Sequence, residues 1–123
     1  MAKYYSLGYD IGSSSVKASL LDLENGRTVA SDFSPKTEMA IDARSPGWAE
    51  QDPNIWWENL VLATKSVIEQ SGNYNYEIIS IGISYQMHGL VMLDSKQNLI
   101  YPAIIWCDSR AISTGESLLH DLG

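Results

Sequence analysis

Cysteine is nearly absent from this chain. Its 123 residues include one, Cys107, so no disulfide can form within it, which fits a reducing compartment. Positive charge is scarce as well: 8 Lys and Arg stand against 15 Asp and Glu, for a formal net charge of −7. A protein that grips a nucleic-acid backbone needs a basic face, so the charge balance argues against that class. A small anionic ligand is not excluded, because backbone N–H groups can hold one locally inside an acidic protein. Long apolar runs are missing, and none nears the roughly 20 residues of a membrane span. The opening Met-Ala-Lys-Tyr-Tyr lacks the basic and apolar regions of a secretory signal. These absences lead us to expect a soluble cytoplasmic protein with neither a nucleic-acid nor a membrane partner. What is present is a 45% share of hydrophobic residues, enough to build a core in one domain or part of one.

The pattern along the chain predicts a mixed α/β fold. Tyr4–Asp10, Val16–Asp22 and Arg27–Phe33 read as three strands, with Asn25-Gly26 as a hairpin turn between the last two. Residues 35–47 are polar and irregular. Asp52-Pro53 then marks a helix start, and Trp56, Leu60, Ala63 and Val67 recur at helical spacing until Gly72. Ile78–Ser84 is apolar at both parities, the mark of a central strand covered on both faces. Two short strands, Leu90–Leu93 and Ala103–Trp106, precede a last helix that begins at Ser109 or Arg110. A meander followed by a crossover helix into a central strand gives a mixed sheet, not a doubly wound one.

Two stretches carry chemistry. In GYDIGSSSVKASLLD, Asp10 ends the first strand and Gly12 to Ser15 turn into the second. Gly12 lets the backbone approach a bulky anion, while the turn N–H groups, the serine hydroxyls and Lys17 supply donors and charge. Asp10 can hold Mg²⁺ through water. Read alone, the same residues also fit a serine-rich hairpin turn. The spacing is not that of a phosphate loop leading into a helix. In ISIGISYQMHGLVMLD (Ile79–Asp94), Gln86, Met87, His88 and Gly89 interrupt two good strands. That break is either an ordinary turn or a polar edge facing a ligand.

These stretches, with GWAEQDPNIWW (Gly47–Trp57) and PAIIWCDSRA (Pro102–Ala111), resemble the FGGY carbohydrate kinases in residue type and in order. The Gln-Met-His-Gly run is similar to that of the xylulokinases within that family. The resemblance implies an actin-like ATPase fold, ribonuclease H-like in its mixed sheet, with residues 1–123 as the N-terminal part of a sugar-binding domain. It also implies a Mg-ATP-dependent phosphorylation of a ketopentose, D-xylulose before ribulose or gluconate. Asp10 is then expected to organise the metal and phosphates, with Gly12, Ser13, Ser14 and Lys17 beside the γ-phosphate. Gln86, Met87, His88, Trp106 and Asp108 are expected to read or wall the sugar. The general base, a second phosphate loop and the adenosine pocket are expected beyond residue 123, and the SLLHDLG end reads as a cut from a longer chain. A homodimer is among the assemblies this reading allows. A different class, a non-catalytic actin-like module, would lack the metal aspartate or the turn glycine, and both are present. An acid substrate would need a further cation, for which Arg110 is the nearest candidate. Trp48, Trp56 and Trp57 are assigned to packing, His120 to an exposed helix end, and Cys107 to a structural role.

Overall fold

The structure, a computed structural model, describes residues 3–72 and 75–123. It separates into two units, residues 1–39 with 54–86 and residues 40–53 with 87–123.

The first unit is a four-stranded mixed sheet under one helix. Strands β1 (Lys3–Ile11), β2 (Val16–Asp22) and β3 (Thr28–Ser34) form the antiparallel meander, and helix α1 (Pro53–Ser71) leads to β5 (Tyr76–Tyr85). The sheet order is β3-β2-β1-β5, with β5 parallel to β1. Alternation puts Tyr5, Leu7, Tyr9, Ala18 and Leu20 on one face, where they pack with Ala63 and Val67 of α1. Leu20 and Val67 are wholly buried. Tyr9 ties sheet to helix through a 2.8 Å hydrogen bond between its hydroxyl and Thr64 Oγ1. Pro53 opens α1, where its missing N–H costs nothing, and the Gly72 backbone at φ 59° ends it.

Strand β5 departs from expectation. Its sequence suits a strand covered on both sides, yet Ile79, Ile81 and Ile83 are 59%, 61% and 59% exposed. The core under α1 is made by β1, β2 and β3, and a single helix does not reach across β5 as well.

The second unit is a three-stranded antiparallel sheet of order β4-β7-β6, from β4 (Glu50–Gln51), β6 (Leu90–Leu93) and β7 (Leu99–Ile104), with helix α2 (Ile112–Leu122). Three boundaries shift from expectation, the first being the start of β7, at Leu99 rather than Ala103. Strand β7 ends at Ile104, so Trp106 lies in a turn, and α2 begins at Ile112 because Asp108 and Arg110 are engaged with each other ahead of it. Strand β4 has no sequence signature, since its two residues are strand only by pairing with Ile104 and Ala103. Of the tryptophans, Trp57 is 67% exposed rather than packed, because it points away from the α1 face that meets the sheet.

Candidate functional site

In the first unit, the face of the sheet opposite α1 carries small and polar residues. Gly8, Asp10, Lys17, Ser19, Ser31, Gly82 and Ser84 line an open groove of about 470 Å³ together with Tyr9 and Ile83. Asp10 stands between Lys17 on β2 and Ser84 on β5, its partners in the two strand registers. Lys17 Nζ lies 3.3 Å from Asp10 Oδ2, and both side chains are about half exposed. The carboxylate is therefore held at the rim of the groove and open to solvent.

Gly12 to Ser15 form the turn between β1 and β2. The Gly12 N–H is committed to the Ser15 carbonyl at 3.1 Å, so it is not one of the donors the turn offers a ligand. A Cβ at Gly12 would press on the same oxygen at 3.1 Å, which is why glycine suits the position. Met39 N–H donates to the Ser14 carbonyl at 2.8 Å and so braces the turn from the segment after β3. Beside it, Ser14, Ser15, Lys36 and Thr37 line a second, smaller recess of about 170 Å³.

Gln86 follows β5, and its backbone N–H donates to the Ile11 carbonyl at 2.9 Å. Both polar atoms of its side-chain amide are shut away from water and have no hydrogen-bond partner. A buried amide left unpaired in this way costs about 1–3 kcal/mol, so this side chain is poised for a partner with donors and acceptors.

In the second unit, Met87 and His88 form the turn before β6, and both are exposed. The His88 backbone has φ 58°, the left-handed region that only a minority of non-glycine residues occupy. Trp106 and Cys107 occupy the tip of another turn, with Trp106 56% exposed. Asp108 is different from these. Its Oδ2 accepts from the Ala49 N–H at 2.7 Å and from Arg110 Nη2 at 2.7 Å, and its Oδ1 accepts from Arg110 Nε at 2.9 Å.

Arg110 also donates to Glu50 Oε1 at 2.7 Å, and Tyr101 OH donates to the same oxygen at 2.7 Å. The guanidinium stacks 3.9 Å above the Trp48 ring. Arg110 holds Asp108 well below the usual carboxylate range, Tyr101 and then Arg110 lower Glu50, and the Asp108 carboxylate raises Arg110 in turn. Sequence reasoning missed Glu50, which is fully buried. The one available signal was an acidic residue in the run Trp48-Ala49-Glu50-Gln51, set against the Asp108-x-Arg110 pair.

Among the described residues, no three His, Cys, Asp or Glu side chains come together as a metal cage, and no helix is long and apolar enough to cross a membrane.

The mixed sheet and the helix crossover are those of the actin-like ATPase fold, shared with solved sugar kinases. The sequence matches the FGGY family of carbohydrate kinases, N-terminal domain, over residues 5–123, and the chain belongs to that family. It is 38% identical over 105 residues to a xylulose kinase of Escherichia coli (strain K12), a match covering 85% of this chain and 20% of that protein. The chain thus spans about a fifth of the length of that relative. Among solved structures, a xylulose kinase from Rhodospirillum rubrum superimposes with a TM-score of 0.83 at 26% identity, covering 95% of this chain and 23% of that one. A gluconate kinase from Lactobacillus acidophilus does so with a TM-score of 0.85 at 27% identity, covering 98% and 23%.

Proposed function

We propose that this chain is the N-terminal part of the sugar-binding domain of a cytoplasmic kinase that phosphorylates a ketopentose. D-xylulose is the substrate favoured, with the γ-phosphate of Mg-ATP passing to its terminal hydroxyl to give the 5-phosphate. The observation that carries this reading is the Gln86 amide, shielded from water and without a partner, in the Gln86-Met87-His88-Gly89 run. Sugar hydroxyls both donate and accept, so a sugar can satisfy an amide oxygen and an amide nitrogen together.

The roles divide by chemistry. Asp10, Lys17 and the Ser13 and Ser14 hydroxyls serve the phosphates, and Gly12 keeps the turn backbone low enough for their approach. A lone, half-exposed carboxylate suits Mg²⁺, which takes one or two carboxylates and keeps several waters. Asp10 would hold it through water, and the ion would neutralise phosphate charge. His88 and Gln86 hydrogen-bond the sugar hydroxyls, while Met87 and Trp106 wall its carbon face. Asp108 supports this set from the base of the Trp106 turn. Phosphoryl transfer asks mainly for such positioning and charge stabilisation.

A sugar-acid kinase is the second reading, favoured by the likeness to the gluconate kinase. Against it, the fork of Arg110, the nearest candidate cation, is already spent on Glu50 and Asp108.

The test is ADP release by a protein of its relatives' length that contains this chain, assayed with D-xylulose, L-xylulose, D-ribulose, L-ribulose, gluconate and glycerol. Preference for D-xylulose, with a raised sugar KM in His88→Ala, supports the reading. Preference for gluconate moves it to the second, and no turnover of any sugar sinks both.

A further inference from the structure

The turn that carries Trp106 is anchored at both ends to one residue. Ile105 N–H donates to the Ala49 carbonyl at 3.0 Å, and the Ala49 N–H donates back to Asp108 Oδ2 at 2.7 Å. The turn closes on itself through Asp108 N–H to the Ile105 carbonyl at 2.9 Å. Ile105 is 1% exposed, so the root of the turn is buried while its tip, Trp106 and Cys107, is exposed. Arg110 completes the brace. It grips Asp108 from Nε and Nη2 and reaches Glu50, the neighbour of Ala49, from Nη2 at 2.7 Å.

We infer that Arg110, through Asp108 and Glu50, is a positioning residue that fixes the Trp106 turn and so the plane this indole presents to a sugar ring. The cluster is larger than stability asks of it. Two buried carboxylates share one guanidinium, an arrangement that apolar side chains of similar volume often match or better for stability alone. What the ionic arrangement adds is direction. A planar fork bound to two carboxylates and stacked on Trp48 fixes a geometry that a lysine, with one point charge on a flexible stem, cannot. The position from which the Trp106 indole starts is set by the backbone of this two-residue tip, and the hydrogen bonds to Ala49 and the Arg110 fork hold that backbone.

The effect on sugar binding rests on the sugar-wall reading of Trp106, whereas the effect on the indole does not. The experiment therefore has two readouts. In the first, the chain is labelled with 5-fluorotryptophan and the Trp106 fluorine resonance is assigned with Trp106→Phe. Arg110→Lys and Asp108→Asn are expected to shift or broaden that resonance and to leave those of Trp56 and Trp57 in place. In the second, the kinase containing the chain is assayed with D-xylulose. Arg110→Lys is expected to raise the sugar KM about tenfold with little change in kcat. Combining it with Trp106→Phe should add little, since both remove the same contact.

A Trp106 resonance that stays put in both variants overturns the inference. A shifted resonance with an unchanged sugar KM in an active enzyme overturns the sugar-wall part and supports Arg110 as the brace of the turn. If the unsubstituted protein turns over no ketopentose, the sugar reading falls, and the fluorine signal still decides whether Arg110 holds the turn.

Discussion

Lys17 stands directly across the first hairpin from Asp10, and its Nζ lies 3.3 Å from Asp10 Oδ2. Both groups are about half exposed, so the pair contributes less than about 1 kcal/mol to stability. Under the phosphate-side role proposed for both residues, its place at the rim of a groove serves a ligand. Asp10→Asn should leave the urea unfolding midpoint nearly unchanged and lower phosphoryl transfer by the containing kinase about a hundredfold or more. A variant that unfolds early, or one that keeps full activity, contradicts the assignment.

Acid should loosen the second unit. Asp108 and Glu50 titrate below the ordinary carboxylate range, the first because of Arg110 and the second because of Tyr101 and then Arg110. A depressed folded pKa gives stability that is complete above the unfolded value, near 4, and lost as pH falls through the folded one. The unfolding midpoint of the unsubstituted chain should thus fall steeply below about pH 4. Asp108→Asn should start lower and fall less over the same range. Parallel profiles from urea titrations at stepped pH would show that this carboxylate is not the source.

Gly47 is required for two separate reasons. Its φ is 79°, and a Cβ there would overlap the Ser109 hydroxyl. Gly47→Ala should destabilise the chain by more than the roughly 1–2 kcal/mol that the backbone conformation alone costs an alanine. Gly47→Ala with Ser109→Ala should recover the steric part and leave the conformational part. Equal unfolding midpoints for the single and double variants would mean that Ser109 simply turns away.

Strand β5 lies at the sheet edge with three exposed isoleucines on one face. An unblunted, apolar edge invites pairing with another strand. The chain should sediment as a concentration-dependent mixture, and Ile81→Lys should shift it toward monomer. Sedimentation of the unsubstituted chain as a monomer at all concentrations would remove the prediction.

The meander, the crossover helix and the strand that follows it could be read from the sequence because their signals are local, but that strand lies at the edge of the sheet and not at its centre. Asn25-Gly26 supplies the turn that permits the second hairpin, Pro53 and Gly72 bracket α1, and Ala63 and Val67 keep helical spacing on the face that is buried. Strand β4 could not be read, since Glu50 and Gln51 become strand only opposite β7. The end of β7 was misplaced for a related reason. Ile105 and Trp106 are apolar enough to continue a strand, but Asp108 and Arg110 turn the chain back toward Ala49.

By itself the sequence determined the order of the elements other than β4, the serine turn beside Asp10 and the polar break at Gln86 to Gly89, because each depends on residues a few positions apart. Only the tertiary structure decided which groups are free to act. It left the Gln86 amide without a partner, exposed both faces of β5, and committed Arg110 and Asp108 to Glu50 and Ala49, residues about sixty positions away in the chain. Burial and pairing over such distances depend on how the strands stack, and no local pattern encodes them.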